Sequence, residues 1–163
     1  MALDSYLEIK DIKGEVIVPA AKDQIFVLAF SWGGSSNANV QKGMTGLAPG
    51  NVSLQDFSIT KYMDIATPLL FQAMTLGTHI DTMTFTVRKA TGKGGEEAFL
   101  KYVFKEIMVT SMSTGGSNGE DRLTENVTFA YANLSLSYRQ QMVDGTLGTE
   151  TPIKWDIGTG TAI

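Results

Sequence analysis

Ile25-Phe26-Val27-Leu28-Ala29-Phe30-Ser31-Trp32 alternates with period two. Successive side chains of an extended chain project to opposite faces, so the stretch is a strand. Phe26, Leu28, Phe30 and Trp32 make one face, large and aromatic. Burying each such side chain contributes about 2 kcal/mol, so this face is expected to be core. Val27, Ala29 and Ser31 make the other face, which shrinks and grows more polar towards its end. A one-residue change of register would exchange the two faces.

The same period runs outward in both directions. Tyr6-Leu7-Glu8-Ile9-Lys10 and Phe57-Ser58-Ile59-Thr60-Lys61-Tyr62 alternate. So do Met83, Phe85 and Val87 against Thr82, Thr84, Thr86 and Arg88, and Leu100, Tyr102 and Phe104 against Lys101, Val103 and Lys105. Beyond Glu106 both faces turn apolar, which predicts a bulge or double-sided burial. Leu123, Val127, Phe129 and Tyr131 hold odd positions before the phase slips to Leu134, Leu136 and Tyr138. One extra residue near Ala132-Asn133 would account for the slip. The chain is mainly β.

Two segments break the pattern. Thr67-Pro68 reads as an N-cap followed by proline at the first helical position, and Gly77 as the stop. Leu69, Leu70, Phe71, Ala73, Met74 and Leu76 between them span far more of the helix than the stripe about 100° wide that one contact needs. Covering by the chain's own barrel and by a neighbouring subunit is expected, with Leu70, Phe71 and Met74 at that interface. The second segment, residues 33–55, is glycine-punctuated and carries Val40, Met44, Leu47, Val52 and Leu54. Structureless loops beyond about 15 residues are uncommon, so a long protruding hairpin that docks on something is expected. The tail, 142–163, is read as loosely ordered, with Ile153–Ile157 its one short strand.

Length and composition set the limits. With 163 residues, 43% hydrophobic and 18% charged, the chain fits one domain, 1–163. It has no cysteine, so redox compartment places no constraint on it. Thirteen basic residues against seventeen acidic ones, scattered, argue against nucleic acid. No run is apolar enough for a membrane helix, and the first residues lack a signal-peptide pattern, so synthesis in the cytoplasm is expected.

Apparent catalytic motifs dissolve on inspection. Gly115-Gly116-Ser117-Asn118-Gly119 fits the nucleophile-elbow pattern, which requires a strand-to-helix turn and a later histidine. Both flanks here are strands, and the single histidine, His79, comes earlier. His79 with Asp81 falls short of a zinc ligand set. Gly92-Lys93-Gly94-Gly95 lacks P-loop spacing and reads as a hairpin turn. Glu120-Asp121-Arg122 lacks calcium-loop spacing and reads as a solvated turn or as ion pairing at a subunit boundary. The sequons at Asn51, Asn126 and Asn133 are formal only. The expectation is a non-enzyme without metal or cofactor.

Several segments, in order, resemble the haemolysin-coregulated protein (Hcp) family of type VI secretion. They are Lys13-Gly14-Glu15, Leu28-Ala29-Phe30-Ser31-Trp32-Gly33, Asp56 to Tyr62, Thr86-Val87-Arg88-Lys89-Ala90, and Ser113 to Ser117 running on through Gly119 to Val127. The chain departs from the family at Val16 to Ala21 and in the tail. The resemblance implies a two-sheet β-barrel flanked by one helix and closed into a homo-hexameric ring. Rings stack into a tube inside a contractile sheath with spike proteins at the tip, and the lumen can shelter effectors. It implies secretion by the type VI system without a cleaved signal peptide. Small Ala29 and Ser31 then suit a lumen wall touching effectors, and Val40, Met44, Leu47 and Val52 suit stacking between rings. The alternative is a monomeric β-sandwich binding carbohydrate or a cell-surface ligand. Such a module has no use for the over-apolar helix.

Overall fold

The computed structural model describes residues 3–40, 47–48, 50–91 and 95–163, with 39–40 and 47–48 described by backbone alone. In chain order the elements are β1 (Asp4–Ile9), a 3-10 turn at Pro19–Ala21, β2 (Ile25–Ser31), β3 (Gly34–Ser36), β4 (Asn39–Val40), β5 (Leu47–Ala48), β6 (Val52–Leu54) and β7 (Phe57–Tyr62). Then come α1 (Ala66–Leu76), β8 (Ile80–Ala90), β9 (Glu96–Gly115), β10 (Thr124–Gln141), β11 (Leu147–Asp156) and β12 (Thr161–Ala162).

The main sheet runs β12-β11-β10-β7-β2-β1-β8-β9, and β9 pairs again with β10. That second pairing closes β10-β7-β2-β1-β8-β9 into an antiparallel barrel. Closure removes the alternative of an open sandwich and hides most strand edges. Phe57, Phe85, Phe104 and Phe129, all fully buried, fill the barrel with Leu7, Ile25, Ile59, Met83 and Ile107. Phe57 lies 4.8 Å from Phe104 and 5.2 Å from Phe85, ring centre to ring centre.

The two faces of β2 are not disposed as its alternation predicts. Ile25 and Val27 are the buried residues of β2, whereas Phe26 and Leu28 are 38% and 41% exposed. The register against β7 shifts between Val27 and Ala29, so Leu28 is an extra residue. The bulge exchanges the faces. Beyond it Phe30 stands opposite Ile59 and reaches the rings of Phe85 and Phe57 at 4.6 and 6.2 Å. Trp32 packs on the core and donates its indole N–H to the Tyr131 hydroxyl. After the bulge the aromatic face turns towards the core without being sealed by it, since Phe30 stays 39% exposed and Trp32 half-buried, while Ala29 and Ser31 are exposed.

The slip at Ala132-Asn133 has a different cause from an extra residue. Tyr131 pairs with Ile107 and Asn133 with Lys105, so the register is unbroken there. Both strands change face together, and Glu106 sits in the left-handed region at φ 55°. At this point β10 exchanges its outer neighbour, β7 up to Phe129, for β11 from Asn133. The extra residue in this ladder is Thr110, in β9.

Helix α1 begins at Ala66, ahead of the expected first helical position at Pro68. The Asp64 carboxylate accepts from the Ala66 N–H at 3.0 Å, and Thr67 Oγ1 accepts from the Asp64 N–H at 3.2 Å. This reciprocal arrangement satisfies one donor of the first turn and one just ahead of it, much as a capping box does. Gly77, left-handed at φ 63°, closes the helix as expected.

The long hairpin is present. β3 pairs with β6 and β4 with β5, two short ladders in series, while the joining segment 41–46 lies outside the described residues. The tail is better ordered than its composition suggested. β11 pairs with β10 from Asn133↔Asp156 to Gln141↔Leu147, and β12 returns onto Trp155 and Asp156. Backbone pairing to a long inner strand compensates for the glycine and threonine content.

Candidate functional site

Four strands, β2, β7, β10 and β9, turn one face into the barrel and the other outward. Phe57, Ile59 and Lys61 point inward from β7, and Glu125, Val127 and Phe129 from β10. Their neighbours therefore face out. One outward row runs Ala29, Thr60, Asn126, Ser113 and the next runs Ser31, Ser58, Thr128, Ser111. Thr60 Oγ1 donates to Asn126 Oδ1 at 2.7 Å, and the Ser58 and Thr128 hydroxyls meet at 3.0 Å. The result is a wall of small, uncharged side chains, many of them satisfied within the wall.

Both flanks of this wall have unused backbone. β1 covers β2 only up to Val27, and β8 covers β9 only up to Ile107. Beyond those points, among the described residues, β2 is paired on its β7 side alone and β9 on its β10 side alone.

Of the three helical residues expected at an interface, the structure removes one. Leu70 is fully buried against the chain's own core, so it has no surface left for a neighbour. Phe71 is 55% exposed and Met74 half-buried. The helix buries Ala66, Leu70 and Ala73 at i, i+4, i+7 and leaves Ile65, Leu69, Phe71 and Leu76 in the open. One barrel covers one stripe, as the breadth of the apolar arc anticipated.

Glu120, Asp121 and Arg122 lie in the exposed connection between β9 and β10, with the Arg122 guanidinium 4.0 Å above the Tyr62 ring. Ser117 lies in the same connection, flanked by strands on both sides. Val52 is 51% exposed at the root of the hairpin. Val40 and Leu47 are paired by backbone in β4 and β5, and Met44 lies outside the described residues, as does Gly92-Lys93-Gly94. His79 approaches Glu106 at 4.0 Å, both exposed, and among the described residues no group of metal-ligating side chains gathers.

The structure adds a network that the sequence reading passed over. Lys61 and Glu125 are both fully buried and in direct contact. Lys61 Nζ also meets Asp64 Oδ1 at 2.9 Å and donates to the Tyr62 carbonyl at 2.9 Å. Thr67 Oγ1 donates to Glu125 Oε1 at 2.7 Å, so the first turn of α1 is tied to β7 and β10. A signal was available: both charges fall in phase with the apolar residues of their strands. Tyr131 forms a second link, accepting from Trp32 and donating to the Gln55 carbonyl at 2.8 Å. Burial pushes its phenol pKa up, against a smaller lowering by the Trp32 hydrogen bond. On the surface, Lys10 donates to Asp81 at 2.8 Å, which lowers the carboxyl and raises the amine.

The family described as type VI secretion system effector, Hcp, matches residues 6–138. The chain belongs to the Hcp family. It is 43% identical over 158 residues to the protein named hcp1 of Pseudomonas aeruginosa, covering 96% of each. Among solved structures, one described as a type six secretion system protein superposes with a TM-score of 0.93 at 29% identity, covering 99% of this chain and 100% of the other. Hcp1 of Salmonella typhimurium superposes at 0.81 with 28% identity, covering 100% of both. As an Hcp, the chain is a structural subunit of the type VI secretion tube. Among the described residues no helix is long and apolar enough to cross a membrane.

Proposed function

We propose that this Hcp closes into hexameric rings whose lumen is walled by the outward faces of β2, β7, β10 and β9. The observation that carries this reading is the pair of open edges on either side of that wall. β2 and β9 run antiparallel within the four-strand set, so β9 of one copy meets β2 of the next also antiparallel. Edge-to-edge pairing satisfies the exposed backbone and extends the alternation around a closed ring. The apolar residues of α1 left uncovered, Phe71 among them, and the Glu120-Asp121-Arg122 connection supply further contact between copies.

Rings then stack into the inner tube, with the 33–55 hairpin bridging one ring to the next. The sheath and tip spike engage the assembled tube, and effectors travel in the lumen against Ala29 and Ser31. Small, uncharged side chains suit a surface along which cargo slides. Secretion follows the type VI route, and the chain catalyses no reaction. The test is native mass measurement with negative-stain imaging of the purified protein. A hexamer and ring-shaped particles are expected; a monomer at micromolar concentration overturns the reading.

A further inference from the structure

A groove of 310 Å³ opens at the end of β2 and β7 remote from the hairpin. The hairpin leaves these strands beside the Ser31↔Ser58 pair, whereas Phe26 and Tyr62 line the groove beyond the Val27↔Lys61 pair. Its apolar side is conspicuously open. Ile17 is 89% exposed, Val18 39% and Phe26 38%, with Phe26 braced edge-on against Tyr6 at 5.9 Å. Its rim carries Asp4 and Glu15, neither of which forms a salt bridge among the described residues. Arg122 lies over the Tyr62 ring, and Arg88, opposite Asp4 on β8, donates to the Ala20 carbonyl at 3.3 Å.

The hairpin has the complementary character. Residues 33–55 contain a single charge, Lys42, and no acid. Val40, Met44 and Leu47 flank that lysine in sequence. One end of the same pair of strands thus leads into a hairpin whose single charge is positive, and the other end offers an apolar groove whose rim carboxylates, Asp4 and Glu15, form no salt bridge among the described residues.

We propose that this groove receives the 41–46 segment of a copy in the adjacent ring, with Lys42 set against Asp4 and Glu15. The inference rests on the stacked-ring reading and names the receptor for the hairpin. Contact between opposite ends of the chain is heterologous and does not close on itself, so it generates an open-ended stack. It also assigns a role to the Val16-Ile17-Val18 stretch, where this chain departs from the family pattern.

The test separates ring formation from stacking. In Lys42→Glu and in Glu15→Lys, native mass should still read single rings, while stacking followed by sedimentation falls about tenfold or more, because the contact repeats around the ring. Combining the two reversals should restore it. Stacking lost in Lys42→Glu but kept in Glu15→Lys, or no restoration in the pair, overturns the groove as receptor and leaves hairpin stacking standing. A second variant needs no stable stacks. The chain has no cysteine, so Lys42→Cys with Glu15→Cys offers one route to a disulfide, which requires Cα atoms within about 7 Å. Covalent ladders longer than one ring after oxidation support the proposal. No crosslink, or ladders that end at ring size, overturn it.

Discussion

Lys61 and Glu125 face each other across β7 and β10, sealed from solvent, and join the wall strands to the first turn of α1. Next to them on the ladder, Thr60 and Asn126 bond on the opposite face of the same strands. The outward wall and the helix anchor are therefore two sides of two adjacent rungs.

Removing Lys61 leaves Glu125 as an uncompensated buried charge, whereas removing Glu125 leaves Lys61 its second carboxylate, Asp64, at 2.9 Å. Lys61→Met alone should cost about 3–5 kcal/mol, and Glu125→Leu alone less. The double replacement should recover much of that loss, because both desolvation penalties disappear together. Glu125 Oε2 already lacks a hydrogen-bond partner among the described residues, which favours recovery. Denaturant unfolding of the three variants checks this, and a double variant as weak as the worse single one contradicts it.

Adjacent helical residues should separate folding from assembly. Leu70→Ala opens a cavity in the core and should cost about 2–5 kcal/mol. Phe71→Glu touches only the exposed face and should leave the melting temperature nearly unchanged while dissociating rings. Circular dichroism melts beside native mass spectra distinguish the two effects.

Tyr131 should make the protein sensitive to alkali. Its folded-state pKa is raised, mainly by burial. The stabilisation is therefore complete below the unfolded phenol's value of about 10 and is lost as pH rises through the folded pKa. Stability measured from pH 8 to 11 should fall at the upper end. Tyr131→Phe should flatten that fall, at the cost of the bonds to Trp32 and Gln55.

Ser31 tests the wall. Ser31→Gln or Ser31→Glu should preserve rings, since the residue is exposed and outside the core, while cargo binding and delivery fail. Loss of the ring in these variants would place Ser31 in an interface between copies. Ser117→Ala should alter neither assembly nor delivery.

Short-range pattern was enough for the strands, the helix stop at Gly77 and the hairpin, because period and turn chemistry are properties of neighbouring residues. Breadth of apolar surface on α1 was legible for the same reason, though which residue lies under the barrel was not: Leu70 is sealed and Phe71 is open. Alternation states that a strand has two faces without stating which one is core. For β2 that choice came from pairing with β7, where the extra residue at Leu28 reverses the faces midway. The order of the tail was likewise decided by a partner, β10, and not by its own glycines. Lys61 and Glu125 stand 64 positions apart, and only closure of the barrel brings opposite charges together where water cannot compete for them.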